Sequence, residues 1–402
     1  MNTCSIRGGA QLRGRLTIPP SKSHSMRALL FAALAMGESK VNNLLASPDV
    51  EAMVTVIRQM GAGVKREGSS IAIRGIGGRV PPLGLVDAAN SGQILRFVGA
   101  VAALAKGPTL ITGDESIRTL RPITPLIQGI KQLGGFAAQN VGGGLLVQGR
   151  IKPGEVVIDG ADSQPVSALL IATSLLEGGS TIRVENPGET PWVGLTLSWL
   201  KRVGRPVSHA DYQTFLVQGG QFAPFTFTVP GDYSSALYPA AAAFVTGSPI
   251  ELDGLDPGDV QGDKRALDLL PTLRKGGCEI DVGPFIDALP LLAVLGCYAP
   301  GRTVLYGGAI ARKKESDRIS AIATELTKMG GQVTELPDGL IIEESPLRGA
   351  RVSTYHDHRI ALSLAIAALG ARGETVIENP AVVAKSYPTF WEDMRGIGCQ
   401  IG

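Results

Sequence analysis

The sequence predicts an α/β fold assembled from six copies of one helix and strand unit. Three observations carry this: glycines that recur at regular intervals, apolar stretches with no polar face, and polar residues at the head of each stretch. The glycines that follow the apolar stretches are Gly37, Gly107, Gly178, Gly247, Gly301 and Gly373, at spacings of 70, 71, 69, 54 and 72. A second set, Gly61, Gly134, Gly204, Gly276, Gly330 and Gly398, follows the first by 24, 27, 26, 29, 29 and 25 residues. Self-similarity of this kind marks a chain built by repeating one supersecondary unit.

Each copy opens with a stretch such as SKSHSMRALLFAALAMG, DSQPVSALLIATSLLEGG or HDHRIALSLAIAALGARG. These are helical in length and apolar nearly all round, which predicts helices buried on every side. After the first glycine the pattern turns to period two, as in GSTIRVEN and GETVIENP, which predicts a strand. A second, amphipathic helix follows. In DVEAMVTVIRQMG the residues Val50, Met53, Val54, Ile57 and Met60 share one face and Gly61 supplies the left-handed stop. A closing strand completes the unit. Ser23, Asn90, Asp162, Asp232, Asp287 and either His356 or Asp357 stand near the heads of the six buried helices. Side chains of this type accept bonds from the orphan N–H groups of a helix start. If the buried helices run parallel, their positive ends converge on a surface that attracts phosphate and carboxylate groups.

Composition excludes several classes of function. The 402 residues carry 38 Lys and Arg against 36 Asp and Glu, a net charge of +2, too balanced for a protein that coats nucleic acid or anionic membrane. The longest apolar run, Ala28 to Met36, is half of the roughly 18 residues that cross a bilayer. Met1 to Gly8 lack the apolar core of a secretory signal, so a cytoplasmic protein is expected. Cys4, Cys278, Cys297 and Cys399 have no CxxC spacing and the chain holds four His, so neither a metal centre nor a disulfide framework is expected.

Basic groups, carboxylates and hydroxyls recur together around the helix heads. SKSHSMR holds Lys22 and Arg27, NSGQILR holds Arg96, TLRPITP holds Arg121, and KKESDR holds Lys314, Glu315, Asp317 and Arg318. HDHR adds Asp357, His358 and Arg359, and AKSYP adds Lys385. Fixed cations at apolar borders suit a small substrate with several negative charges.

These motifs, in this order and over essentially the whole chain, resemble the enolpyruvyl transferase family, and within it the branch whose acceptor is shikimate 3-phosphate. IPPSKSHSMRALLFAALA, LRPI, DSQ, GDYSSA, KESDR, DHR and AKSYP carry the resemblance. It implies two similar domains of three repeats each, an inside-out α/β barrel arrangement with buried parallel helices and substrates held between the domains. The implied boundaries are 19–229 for one domain and 1–18 plus 230–402 for the other. The implied reaction moves the enolpyruvyl group of phosphoenolpyruvate to the 5-hydroxyl of shikimate 3-phosphate and releases phosphate, without metal or organic cofactor, in a monomer.

By the same resemblance Asp287 accepts the hydroxyl proton and Glu315 donates to C3 of phosphoenolpyruvate, with Lys22 the alternative donor. A general acid needs a raised pKa, whereas Lys314 and Arg318 flank Glu315. The implied phosphoenolpyruvate ligands are Lys22, Gly92, Arg121, Gln164, Arg318, Arg359 and Lys385. Those of shikimate 3-phosphate are Lys22, Ser23, Arg27, Ser163, Gln164, Asp287 and Lys314. Asp49, Asp317 and Asp357 are expected to orient neighbouring cations.

The chain departs from the family pattern at Gln93, which stands for a Thr, and at Ile310, which stands for an Asn. Asp162 stands for a phosphate-binding Ser, and Glu189 and Trp192 stand for a Ser and a Tyr. An acid against a phosphate repels it unless it points elsewhere or is neutralised by Lys or Arg. Two alternatives follow: UDP-N-acetylglucosamine as the acceptor, or a scaffold that binds anions without chemistry.

Overall fold

The computed structural model describes residues 3–402 and divides into two compact units. One comprises Lys22–Val229, the other Met1–Ser21 with Pro230–Gly402. The first junction lies between residues 21 and 22, slightly beyond the expected 18, because Pro20 bridges to Gly231 and the Ser21 N–H donates to the Pro230 carbonyl at 2.8 Å. Each unit has its own apolar core. Among the described residues no helix is long and apolar enough to cross a membrane.

Five four-stranded sheets share one design, and in the unit that contains both termini a sixth pairs only Gly14–Thr17 with Ile250–Asp253. In the sheet of the third repeat, Glu155–Asp159 and Gly179–Glu185 run parallel, Thr214–Gln218 pairs antiparallel with the latter, and Ser208–Ala210 forms the edge. A parallel pair needs a crossover, and the buried helix Ser163–Thr173 supplies it. Gly84–Asp87 with Thr109–Thr112, and Glu279–Asp281 with Arg302–Tyr306, repeat the arrangement. In each unit one sheet is closed by a strand from a distant part of the chain. Thr226–Thr228 lies parallel to Glu38–Asn42, and the N-terminal strand Thr3–Arg7 pairs antiparallel with Glu374–Glu378.

The opening helices are Lys22–Leu34, Ser163–Thr173, Tyr233–Thr246, Leu289–Tyr298, His358–Gly370 and a wider π-turn segment, Ile94–Val98, that runs into Gly99–Ala102. Nearly every side chain on them is buried, as an all-apolar helix requires. In the unit that contains both termini, three of these helices pack on one another. They start at the same end, because Arg359 near one head reaches the Ser234 carbonyl near the second and Asp287 just ahead of the third.

Capping follows the sequence expectation at three heads. Asp162, Asp232 and Asp357 accept from the N–H groups of Gln164, Ser235 and Arg359 at 2.9 to 3.0 Å. The other three differ. Ser23 is already inside its helix, which begins at Lys22. Asn90 bonds the side chains of Asp114 and Ser116 instead. Asp287 lies in the 3₁₀ turn Gly283–Ala288, and Ala288 takes the cap position of the next helix. The Asp287 carboxylate is therefore left for other work.

Candidate active site

In the unit that contains both termini, six of the expected residues gather into one buried ion network. Arg318, the first residue of the helix Arg318–Lys328, meets three carboxylates. Its Nη1 donates to Asp287 Oδ1, its Nη2 to Glu315 Oε2 and its Nε to Asp357 Oδ2, each at 2.7 Å. Lys385 Nζ donates to Glu315 Oε1 at 2.7 Å, and Arg359 Nη2 to Asp287 Oδ2 at 3.3 Å. The carboxylates of Asp357 and Glu315 are buried, whereas the side chain of Asp287 keeps 27% of its surface.

The electrostatics follow from these contacts. Burial pushes the Asp287 carboxyl up, but Arg359, Arg318 and Lys314 outweigh it and hold the group well below the usual carboxylate range. Burial alone would lower Arg318 and Arg359, yet the surrounding acids and, for Arg359, Tyr238 raise both above the ordinary guanidinium value. Glu315 accepts from two cations, one at each carboxylate oxygen. Its expected role as an acid therefore depends on a change in its surroundings.

Two further groups join this network without having been assigned a role from sequence. His358 is buried with Nδ1 2.6 Å from Ser386 Oγ and Nε2 3.8 Å from Glu315 Oε1. Asp263 is fully buried, bonds the Ser234 hydroxyl through one oxygen and leaves Oδ1 without a hydrogen-bond partner. Burial, only partly offset by Arg359, pushes its carboxyl up to about 7. Glu315, Asp357 and His358 present ligand atoms within 4.8 Å of one another. A metal could use them only by displacing Arg318 and Lys385, which already hold both acids.

In the unit Lys22–Val229, a second group forms around Gly92. A Cβ there would lie 2.8 Å from Arg96 Nη1, 3.2 Å from Gln164 Oε1 and 3.4 Å from Arg121 Nη1. Three polar side chains thus converge on a bare backbone, and a ligand that reaches this spot meets all of them. Arg96 Nη1 donates to Gln164 Oε1 at 3.0 Å, and Arg96 Nη2 lies 3.0 Å from Asp162 Oδ2. Asp162 is therefore neutralised by a buried arginine. Sequence reading noted Arg96 but gave it no task, since its partners are 66 and 68 residues away.

The remaining expected residues divide. Lys22 Nζ lies 3.7 Å from Asp49. Arg27 is buried and donates to Thr196 Oγ1 at 3.0 Å and to the carbonyls of Trp192 and Ser23 at 3.3 Å, with Phe97 under its guanidinium. Burial lowers its pKa to about 9. It braces the helices Lys22–Leu34 and Thr190–Arg202, and these donors are already spent. Asp317 caps the helix Arg318–Lys328 and pairs with Arg312 at 2.8 Å.

Residues 6–394 match the family model of EPSP synthase (3-phosphoshikimate 1-carboxyvinyltransferase). This chain belongs to the EPSP synthase family. It is 40% identical to the 3-phosphoshikimate 1-carboxyvinyltransferase of Acetivibrio thermocellus, across 96% of each chain. It is 42% identical to that of Chlamydia trachomatis serovar D, across 94% of this chain and 90% of the relative. The EPSP synthase structure of Acinetobacter baumannii superposes with a TM-score of 0.82 at 26% identity, covering 100% of this chain and 99% of that one. The enolpyruvyl transferase NikO of Streptomyces tendae shares the fold, with a TM-score of 0.77 at 18% identity over 100% of this chain and 98% of its own. The EPSP synthase-like α/β fold thus holds over the full length.

Proposed function

We propose that this chain transfers the enolpyruvyl group of phosphoenolpyruvate to the 5-hydroxyl of shikimate 3-phosphate and releases phosphate. Membership of the EPSP synthase family supports this acceptor over UDP-N-acetylglucosamine and supports an enzyme over a binding scaffold. The observation that carries the chemistry is the pair Asp287 and Glu315, two carboxylates held by the same arginine, Arg318.

In the addition step the hydroxyl oxygen bonds to C2 of phosphoenolpyruvate, C3 takes a proton and the hydroxyl loses one. In the elimination step C3 returns a proton, the bond from C2 to the phosphate oxygen breaks, and phosphate leaves. Asp287 is ionised and the more open of the two acids, which suits it to orient the hydroxyl and accept its proton. Glu315 handles the proton at C3, with Lys22 as the alternative donor. Phosphoenolpyruvate supplies the change that Glu315 needs. Its charges compete for Arg318, Arg359 and Lys385, and a negative group that draws these cations away raises the proton affinity of both carboxylates. The substrate thereby turns a pair of stabilised carboxylates into an acid and a base.

Lys22, Gly92, Arg121 and Gln164 complete the proposed phosphoenolpyruvate set, and Lys22, Ser23, Ser163, Gln164, Asp287 and Lys314 the acceptor set. Arg27, which also braces two helices, belongs to the acceptor set as well. The two compact units serve as the two domains, and the chain works as a cytoplasmic monomer without cofactor. Phosphate release from phosphoenolpyruvate tests the reading. Release should require shikimate 3-phosphate, fail with UDP-N-acetylglucosamine and be abolished in Asp287→Ala. Release with the nucleotide sugar alone would overturn the choice of acceptor.

A further inference from the structure

Residues 353–357 join the strand Arg351–Val352 to the helix His358–Gly370, whose head carries Asp357, His358 and Arg359. The turn within them is strained. Tyr355 and His356 are both left-handed, with φ 51° and 54°, a region that residues with a Cβ seldom adopt and that the surrounding structure must hold. What holds it is Glu325. This acid is fully buried, so its charge needs partners. Its Oε2 accepts from the Ser353 N–H at 3.2 Å, and its Oε1 accepts from the Tyr355 hydroxyl at 2.8 Å and from Lys328 Nζ at 2.7 Å. Within the turn, the Asp357 N–H donates to the Thr354 carbonyl at 2.8 Å. Glu325 stands seven residues after Arg318 in the helix Arg318–Lys328, a spacing of two turns that puts both on one face. Residues 353–357 run along that face, bonded at Ser353 and Tyr355 to Glu325 and at Asp357 to Arg318. One helix thus holds the loop at both of its ends.

We infer that Glu325 is a positioning residue for the reaction, which fixes through Ser353 and Tyr355 the turn that sets Asp357 against Arg318 and Arg359 beside Asp287. The inference rests on the transfer proposed above, in which Arg318 and Arg359 bind phosphoenolpyruvate. Glu325 lies two helical turns from Arg318 and acts only through the turn it holds. A left-handed pair released from Glu325 relaxes toward the ordinary regions of the backbone, and the residues that follow rotate with it. Asp357 then no longer meets Arg318 at Nε, and Arg359 no longer reaches Asp287. Both guanidinium groups lose the geometry in which they meet the substrate, and small misplacements of such groups are costly. Lys328 is a different kind of partner. Its side chain keeps 47% of its surface and neutralises Glu325 from within their shared helix. If charge balance were all that Glu325 supplied, losing either member of that pair would have the same effect.

The test compares Tyr355→Phe, Glu325→Gln and Lys328→Met with wild type by steady-state kinetics. Thermal midpoints report folding. Tyr355→Phe removes the hydroxyl that bonds Glu325, beside Thr324, and leaves the ring, which is 38% exposed, so its midpoint should stay near that of wild type. KM for phosphoenolpyruvate should rise about threefold in Tyr355→Phe and about tenfold in Glu325→Gln, the scale of one weakened and one lost hydrogen bond to a charge. In both, kcat should fall by less than KM rises, and KM for shikimate 3-phosphate should stay within about twofold. Lys328→Met should match wild type in all three constants. An unchanged KM for phosphoenolpyruvate in both Glu325→Gln and Tyr355→Phe, whatever their midpoints, would overturn the inference and leave Glu325 a structural acid. So would a Lys328→Met variant that raises this KM as much as Glu325→Gln does. If wild type shows no turnover with shikimate 3-phosphate, the proposed function fails by itself, and hydrogen exchange across residues 353–361 still decides what Glu325 does. Exchange there should quicken in Glu325→Gln and Tyr355→Phe but not in Lys328→Met, and equal exchange in all four proteins would sink the idea.

Discussion

Lys385 Nζ lies 2.7 Å from Glu315 Oε1, so a residue expected to hold phosphoenolpyruvate holds the expected proton donor instead. Arg318 does the same at the other oxygen. In the proposed reaction, cations expected to serve the substrate are thus kept in place beforehand by Glu315, and the charge of the substrate would separate them from it. This links binding to proton transfer without a separate switch.

Glu315→Gln tests the link. Glutamine keeps the shape of the side chain but carries no transferable proton. The expected result is a fall in kcat of about 10²- to 10⁴-fold, the usual contribution of a positioned acid or base. KM for phosphoenolpyruvate should change less. A fall confined to KM, seen in steady-state kinetics, would reduce Glu315 to a charge that balances Lys385 and Arg318.

Asp357→Asn separates capping from charge. Asparagine can still accept from the Arg359 N–H at the helix start, but it no longer neutralises Arg318 at Nε. Breaking a buried pair costs roughly 3 to 5 kcal/mol, so denaturant unfolding should show a loss of that order. KM for phosphoenolpyruvate should rise because Arg318 loses the partner that orients it. A variant with wild-type stability would mean that Arg318 is satisfied by Asp287 and Glu315 alone.

Much of the fold was legible because its signals are local. Buried helices show in the all-apolar stretches, the glycine stops show in their spacing, and Asp162, Asp232 and Asp357 cap as their residue types require. Asp287 was placed at a helix head, and the intervening 3₁₀ turn was missed because Gly283, Pro284 and Phe285 form a kink that periodicity does not report. The pairing of Thr3–Arg7 with Glu374–Glu378 was not readable from the residues themselves, since an alternating strand does not name its partner. The motifs gathered at Arg318 were legible as charge clusters near helix heads. The bond from the Ser163 hydroxyl to Glu189 was not, because it depends on the direction a left-handed backbone gives one side chain.

Gly92→Ala probes the second cluster. The added methyl would meet Arg96 at 2.8 Å, closer than such atoms approach, with Gln164 and Arg121 just beyond. The flexible arginine end can yield, so the fold should survive, but Arg96 would then pull on Gln164 and Asp162. KM for phosphoenolpyruvate should rise about tenfold or more, on the scale of one lost charge-assisted bond. The thermal midpoint should stay near that of wild type. An unchanged KM would show that phosphoenolpyruvate does not approach residue 92.

Asp263 gives the pH dependence of stability a defined sign. Its carboxyl is fully buried and pushed up to about 7 from 3.8, chiefly by burial, with Asp287 and Asp232 adding to the shift and Arg359 and the Ser234 hydroxyl opposing it. The folded chain therefore binds this proton more tightly than the unfolded chain. That contribution is complete below about pH 4 and is lost as pH rises through 7. Asp287 has the opposite sign, because its depressed value gives stability that is lost only as pH falls below the ordinary carboxylate range. The two windows do not overlap. Asp263→Asn, which carries no titrating proton, should thus gain on wild type between pH 5 and pH 8 by an amount on the order of a few kcal/mol. Thermal midpoints of the two proteins across that range check it. A constant difference would mean that Asp263 keeps one protonation state throughout, with the Arg359 charge strong enough to hold it ionised.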